Sequence, residues 1–221
     1  MKDDFLIEGF STPPHPKGLT FFGKSVRLEP LDIEKHSEDL HNANIIDVNG
    51  FNWRYLPYGP FENLEKYQKW LRSVIKNDDP TFLAIIRLSD DKAVGVASFL
   101  RINRSDGLIE VGHINYSPLL QNSVEGTETM YLMMRNAFDV LGNRRYEWKC
   151  NNLNSDSKKA ALRLGFRFEG VFRQMFIFKG RSRDSAWFSI LDKEWPSNKK
   201  RFLNYLKKIN FDKNYKQIKK L

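Results

Sequence analysis

Glu110 is the one charged residue in the apolar run Leu108-Ile109-Glu110-Val111, and a carboxylate in such surroundings is suited to general-base work. Eleven positions on, Gln121-Asn122-Ser123-Val124-Glu125-Gly126-Thr127-Glu128 leads from a strand end at Ser117-Pro118 straight into a long helical pattern. Backbone N–H groups in such a turn, reinforced by the positive end of the helix dipole, form an anion site. A second strand-to-helix junction comes later, where Asn154-x-x-Ser157 opens a helix that stops at Leu164-Gly165-Phe166, with Glu169-Gly170 just beyond. His113 shares a strand with Glu110, and alternation assigns it to the opposite face. Cys150, the single cysteine, ends a strand without a neighbouring histidine, which argues against a covalent thiol route. One cysteine also excludes an internal disulfide and fits a reducing, cytoplasmic setting. The four histidines form no i,i+3 or i,i+4 pair, so no metal site is expected.

These residues need a scaffold, and the pattern supplies strands first. Residues 21–30 read as a strand, followed by a helix to about Asn42 with Asp32 as its N-cap. The stretch 50–61 is aromatic but broken by Pro57, Gly59 and Pro60, so it reads as a loop. A helix over 62–77 precedes three strands at 81–88, 93–102 and 108–117, with turns at Asp90-Asp91 and Ser105-Asp106-Gly107 making an antiparallel meander. A helix over 125–141 ends at Gly142. Next come a strand at 145–150, a helix at 155–164, and strands near 166–172 and 175–191, with a charged hairpin tip at Lys179–Asp184. The last segment, 198–221, reads as an amphipathic helix and a loose tail. Strands dominate the centre and helices interrupt the later ones, so the class is α+β or α/β with a mixed sheet.

Charge narrows the partners. With 36 basic and 27 acidic residues the chain carries +9, which by itself suggests an anionic partner. The distribution says more: residues 1–134 sum to −5, residues 135–183 to +8, and residues 193–221 to another +8. No apolar run approaches the roughly 18 residues of a membrane span. The acidic MKDDFLIEGF start shows no secretory h-region.

The block 108–172 resembles the GNAT superfamily of acetyl-CoA-dependent N-acetyltransferases, and within it the ribosomal-protein N-terminal acetyltransferase branch. Gln121, Gly126, Thr127 and Glu128 match the family's pyrophosphate loop, with Val124 in place of its first glycine. Asn154, Ser157, Leu164, Gly165, Phe166, Glu169 and Gly170 match its later elements. The resemblance implies a mixed, mostly antiparallel sheet that splays in the middle and is flanked by helices. It places a GNAT domain at 21–192, between an extended arm at 1–20 and a basic helix and tail at 193–221.

The resemblance also implies a direct transfer from acetyl-CoA to an amine, either a protein or peptide N-terminal α-amine or a small amine; a silent coenzyme-binding module is the remaining alternative. The coenzyme would lie against Ile114, Asn115, Gln121, Val124, Glu125, Gly126, Thr127, Asn154, Ser157 and Lys159. Glu110 would take the amine proton, with Glu169 as another carboxylate and His113 as a candidate relay. The family often has a tyrosine seven residues after the asparagine, to protonate the leaving sulfur. Here that position is Ala161, which leaves Ser157 as donor or helix cap. Trp53, Tyr55 and Tyr58, in the proline-broken loop, would wall the acceptor pocket. The basic tail offers a contact to ribosomal RNA or another acidic surface.

Overall fold

The computed structural model describes residue 7, residues 9–212 and residues 217–221. Eight strands form one sheet in the order β1-β2-β3-β4-β5-β6-β8-β7: β1 Phe21–Phe22, β2 Val26–Pro30, β3 Thr81–Arg87, β4 Lys92–Asn103, β5 Leu108–Tyr116, β6 Arg145–Asn151, β7 Arg167–Phe178 and β8 Arg181–Leu191. Every pairing is antiparallel except β5 with β6. That pair is parallel because the chain returns to the sheet through a crossover helix, α3 (Val124–Arg135).

Both faces of the sheet are covered, but unequally. Helices α1 (Ile33–Asn44) and α2 (Leu64–Val74) pack over β3 and β4, where Leu40, Tyr67 and Leu71 meet Phe82, Ala84 and Ile86. The opposite face carries α3, α4 (Ser155–Arg163) and α5 (Trp195–Tyr205), whose Met133, Ala161 and Phe202 join Leu83, Ile85, Ile109 and Val111. Strand β3 is therefore buried on both sides and reads as a continuous apolar run.

Several expected elements take a more broken form. The strand expected at 21–30 is interrupted at residues 23–25 because Glu128 of α3 occupies the turn. Its carboxylate accepts from the Lys24 N–H at 2.8 Å, the Ser25 N–H at 2.7 Å and the Ser25 hydroxyl. A Cβ on Gly23 would lie 2.7 Å from Glu128 Cδ, so the turn requires glycine there. The helix expected at 125–141 stays α-helical only to Arg135. It then widens into a π-helical turn, Asn136–Val140, closed by Leu141 N–H to Asn136 O at 2.9 Å. The two final strand segments are one hairpin, with Lys179 and Gly180 at its tip in left-handed conformation. Residues 173–175 form a bulge inside β7, not a break between strands.

The basic C-terminal segment is the largest departure. Its helix begins at Trp195, and the buried Asn210 anchors the chain beyond that helix. The Asn210 side chain donates to the Tyr205 and Lys219 carbonyls, each at 3.0 Å, and accepts from the Lys219 N–H at 2.9 Å. Leu206 and Leu221 pack against the main core. The described residues of the segment are thus folded back on the domain, where the sequence suggests a loose tail.

The Glu128 contact is the one most open to test. Glu128→Ala would leave two backbone donors without their carboxylate and should lower unfolding free energy by about 1–3 kcal/mol. Urea denaturation should show the change in midpoint at unaltered slope.

Candidate active site

Strands β5 and β6 pair only over Leu108–Val111 and Arg145–Trp148, and then diverge. Beyond that point β5 continues to pair with β4, through a register shift between Val96 and Ser98. His113 takes a left-handed φ of 49° at this bulge. The gap between the diverging strands opens a cleft of about 2240 Å³ that runs from the loop at 51–57 to the C-terminal segment.

The bulge corrects the alternation argument for His113. Ile109 and Val111 point into the core beneath α3, so Glu110 faces the α1–α2 side. Counting by twos would place His113 with Ile109, but the bulge returns it to the Glu110 face. There its ring stacks on Tyr58 (5.7 Å between centroids) and lies against Phe82 (5.0 Å). Both Glu110 and His113 line the cleft. Tyr58 Oη and His113 Nδ1 are 3.0 Å apart. Burial among these rings lowers the His113 pKa from 6.5 to about 4.

Glu110 is 3% exposed and lies between two cations. Arg101 Nη1 donates to Oε1 and Lys149 Nζ approaches Oε2, each at 2.7 Å. Burial nevertheless dominates and holds the carboxyl above its usual range. Lys149 in turn reaches Glu147 at 2.7 Å, Glu147 meets Arg145 at 2.7 Å, and Arg145 clasps Glu169 with both terminal nitrogens. Glu169 is therefore tied up in an ion pair and lies outside the cleft lining.

The Gln121–Glu128 turn leads into a capped helix N-terminus at α3. Ser123 caps α3: its hydroxyl accepts the Gly126 N–H at 2.9 Å and donates to the Leu120 carbonyl at 2.6 Å. The N–H groups of Val124 and Glu125, at the first two helical positions, have no partner within the helix. A Cβ on Gly126 would stand 2.8 Å from that same Leu120 carbonyl. Val124, at the position of the family's first glycine, begins the helix normally. Gln121 donates its amide to the Tyr116 carbonyl at 2.9 Å and to Asn52, tying the turn to the aromatic loop. Arg163 Nη2 donates to Thr127 Oγ1 at 3.0 Å.

Asn154 caps α4 by accepting the Ser157 N–H at 3.1 Å, and Ser157 Oγ accepts the Trp148 indole N–H at 3.0 Å. Ile114, Gln121, Val124, Glu125, Gly126, Thr127, Asn154, Ser157 and Lys159 all line the cleft; Asn115 does not, being buried within β5. Of the three loop aromatics, Tyr55 lines the cleft and bonds the Leu153 carbonyl at 3.2 Å. Tyr58 lies behind His113, in contact with it but outside the cleft lining. Trp53 is 4% exposed in the α1–α2 core and walls no part of it. Cys150 lines the cleft, but burial pushes its thiol up, away from the reactive thiolate. Among the described residues, no three His, Cys, Asp or Glu side chains are grouped to hold a metal, and no helix is long and apolar enough to cross a membrane.

Sequence reasoning missed Arg101, Lys149 and Arg183, which also line the cleft, and placed the C-terminal segment outside it. Tyr205, Lys208, Phe211 and Gln217 in fact form part of the wall. The usable signal was Glu147-Trp148-Lys149: two charges at strand spacing, in register with Glu110 on the neighbouring strand.

A sheet that splays at a parallel pair, beside a capped helix N-terminus, is the acetyltransferase architecture. Residues 25–167 match the acetyltransferase (GNAT) domain model, and the chain belongs to that family of N-acetyltransferases. It is similar to a GCN5-related N-acetyltransferase of Brucella melitensis, with 41% identity, 97% of each chain covered and a TM-score of 0.94. A probable acetyltransferase of the GNAT family from Chromobacterium violaceum shares 35% identity over 87% of this chain and 96% of its own, with a TM-score of 0.81. The probable N-acetyltransferase YjcK of Bacillus subtilis is 24% identical over 182 residues, 77% of this chain and 96% of its own.

His113 gives a test of this geometry in solution. The unfolded chain takes up a proton near pH 6.5 that the folded chain refuses until about pH 4. Stability should therefore fall as pH drops through that window. His113→Gln should remove this component from the pH dependence of urea unfolding; an unchanged slope would place the ring in water.

Proposed function

We propose that the chain transfers acetyl from acetyl-CoA directly to a neutral amine, with Glu110 as general base. The observation that supports this most is the placement of Glu110: a buried carboxylate in the same cleft as the α3 N-terminus, where the two strands part. The amine nitrogen attacks the thioester carbonyl and the C–S bond breaks. Glu110 accepts the proton the amine loses, and the leaving sulfur takes a proton. A carboxyl held above its usual range is the stronger base for this step. Ser157 Oγ accepts from the Trp148 indole, so its hydroxyl hydrogen is left to donate, to the Cys150 sulfur at rest and to the leaving sulfur in the reaction. His113, neutral and bonded to Tyr58, shapes the acceptor side without supplying charge.

Coenzyme phosphates are the anions that suit the Val124 and Glu125 amides, with Arg163, Lys159 and Lys208 around them. This gives the C-terminal segment a use at the coenzyme, which accounts for its charge more economically than contact with ribosomal RNA. For the acceptor, a peptide N-terminal amine is favoured, because the cleft extends to the aromatic loop, where the exposed Phe51, Arg54 and Pro57 join its lining. Small amines are the competing class.

Glu110→Gln should lower turnover by roughly 10²-fold or more, while acetyl-CoA still raises the melting temperature by mass action. Thiol release at the wild-type rate would remove Glu110 as the base. Lys208→Ala should weaken acetyl-CoA binding by about two- to fivefold at low ionic strength, with the difference shrinking as salt screens an exposed cation. Calorimetric titration at two salt concentrations reads this directly.

A further inference from the structure

The charged groups that run across one face of β4, β5, β6 and β7 alternate in sign. Arg101, Glu110, Lys149, Glu147, Arg145 and Glu169 are joined one to the next through contacts of 2.5–2.8 Å. Three cations meet three carboxylates, and the chain is neutral as a whole. Arg183 stands beside it as a fourth cation. Among the described residues it has no hydrogen bond or ion pair; its Nε is buried without an acceptor. Its support is aromatic: its Cζ is 5.6 Å from the centroids of both Phe176 and Phe178. Arg101 lies 5.6 Å from the same Phe176 ring, so two guanidinium groups flank one phenyl group. Desolvation lowers the Arg183 pKa and Arg101 adds repulsion, against a weaker opposing pull from Cys150 and Glu110.

A guanidinium fixed by ring stacking, half removed from water and without a direct ion pair is preorganised for an oxyanion. The coenzyme's phosphates do not suit this position. Their site at the α3 N-terminus lies on the other face of the sheet, where Ala186, Phe188 and Ile190 of β8 also point. Arg183 is at odd spacing from those residues and shares the face of Trp187, whose ring lies 3.8 Å beneath Lys149 Nζ. That is the face of Glu110. Both Arg183 and Glu110 line the cleft.

We propose that Arg183, backed by Arg101, forms a carboxylate-binding subsite for the acceptor, so that the acetylated amine belongs to a molecule with a carboxylate close to it. The inference rests on the acetyl-transfer reading for the word acceptor, though the subsite itself does not. A polycationic amine would meet an unpaired positive charge there and is disfavoured. The carboxylate could be a peptide's acidic side chain or the free C-terminus of a short peptide.

Two matched pairs separate these sources: Ser-Asp-Ala-amide against Ser-Asn-Ala-amide, and the dipeptide Ser-Ala against Ser-Ala-amide. Binding is read from tryptophan fluorescence in the presence of coenzyme A, and transfer from thiol release with acetyl-CoA. One carboxylate-bearing member should bind about tenfold or more tightly than its neutral partner, the scale of a charge-assisted hydrogen bond. Arg183→Gln should erase that preference with the acetyl-CoA affinity unchanged, and Arg183→Lys should keep part of it. Equal binding within both pairs, no binding of any peptide, or a preference that survives in Arg183→Gln would overturn the proposal. Carboxylate-selective binding without thiol release would sustain the subsite and overturn acetyl transfer. Thiol release without selectivity would do the reverse.

Discussion

The left-handed residue His113 sets the geometry on which the site depends. A non-glycine residue at φ 49° carries a steric cost, and here it is over-determined by packing against Tyr58 and Phe82. The bulge lets β5 follow β4 and leave β6. One conformational choice thereby opens the cleft, exposes the strand edge that faces it, and brings the histidine onto the same face as the buried carboxylate. Packing on either side keeps the gap from closing. Gln121 ties the end of β5 to the aromatic loop, and the capped α3 stands over the other end.

Electrostatics then give the two ends of the cleft different characters. At the helix end, backbone donors stand with lysine and arginine side chains, an array suited to anions. At the strand end, charge is compensated pair by pair, and Glu110 is kept from solvent between Arg101 and Lys149. Removing either cation would leave the buried carboxylate with one partner in place of two, and removing both would leave it unpaired, which is costlier than the pairs are stabilising. The alternating chain therefore reads as positioning: it fixes the carboxylate against the sheet while burial keeps it basic. Arg183 stands beside that chain with no ion pair of its own among the described residues.

Much of the fold was legible because strand and helix periods differ. The Asp32 cap, the meander at 81–117 and the Gly142 stop come from local chemistry and occur as read. The start of α3 was legible for a related reason: a turn entering a helix is specified by adjacent residues, so Gln121–Glu128 carries its own geometry. The features that could not be read depend on partners distant in sequence. The break at residues 23–25 is caused by Glu128, more than a hundred positions away. Alternation misplaced His113, because a bulge is set by the neighbouring strand. Charge counting set the C-terminal segment apart, since nothing local shows that Asn210 will fold it back over the cleft.

The central claim, that the divergence of β5 from β6 seats the coenzyme, is tested most directly by backbone hydrogen exchange with and without acetyl-CoA. Slowed exchange confined to the amides of 112–116 in β5 and 122–126 at the start of α3 is the predicted result. Binding that leaves both segments unchanged and protects amides elsewhere would contradict it.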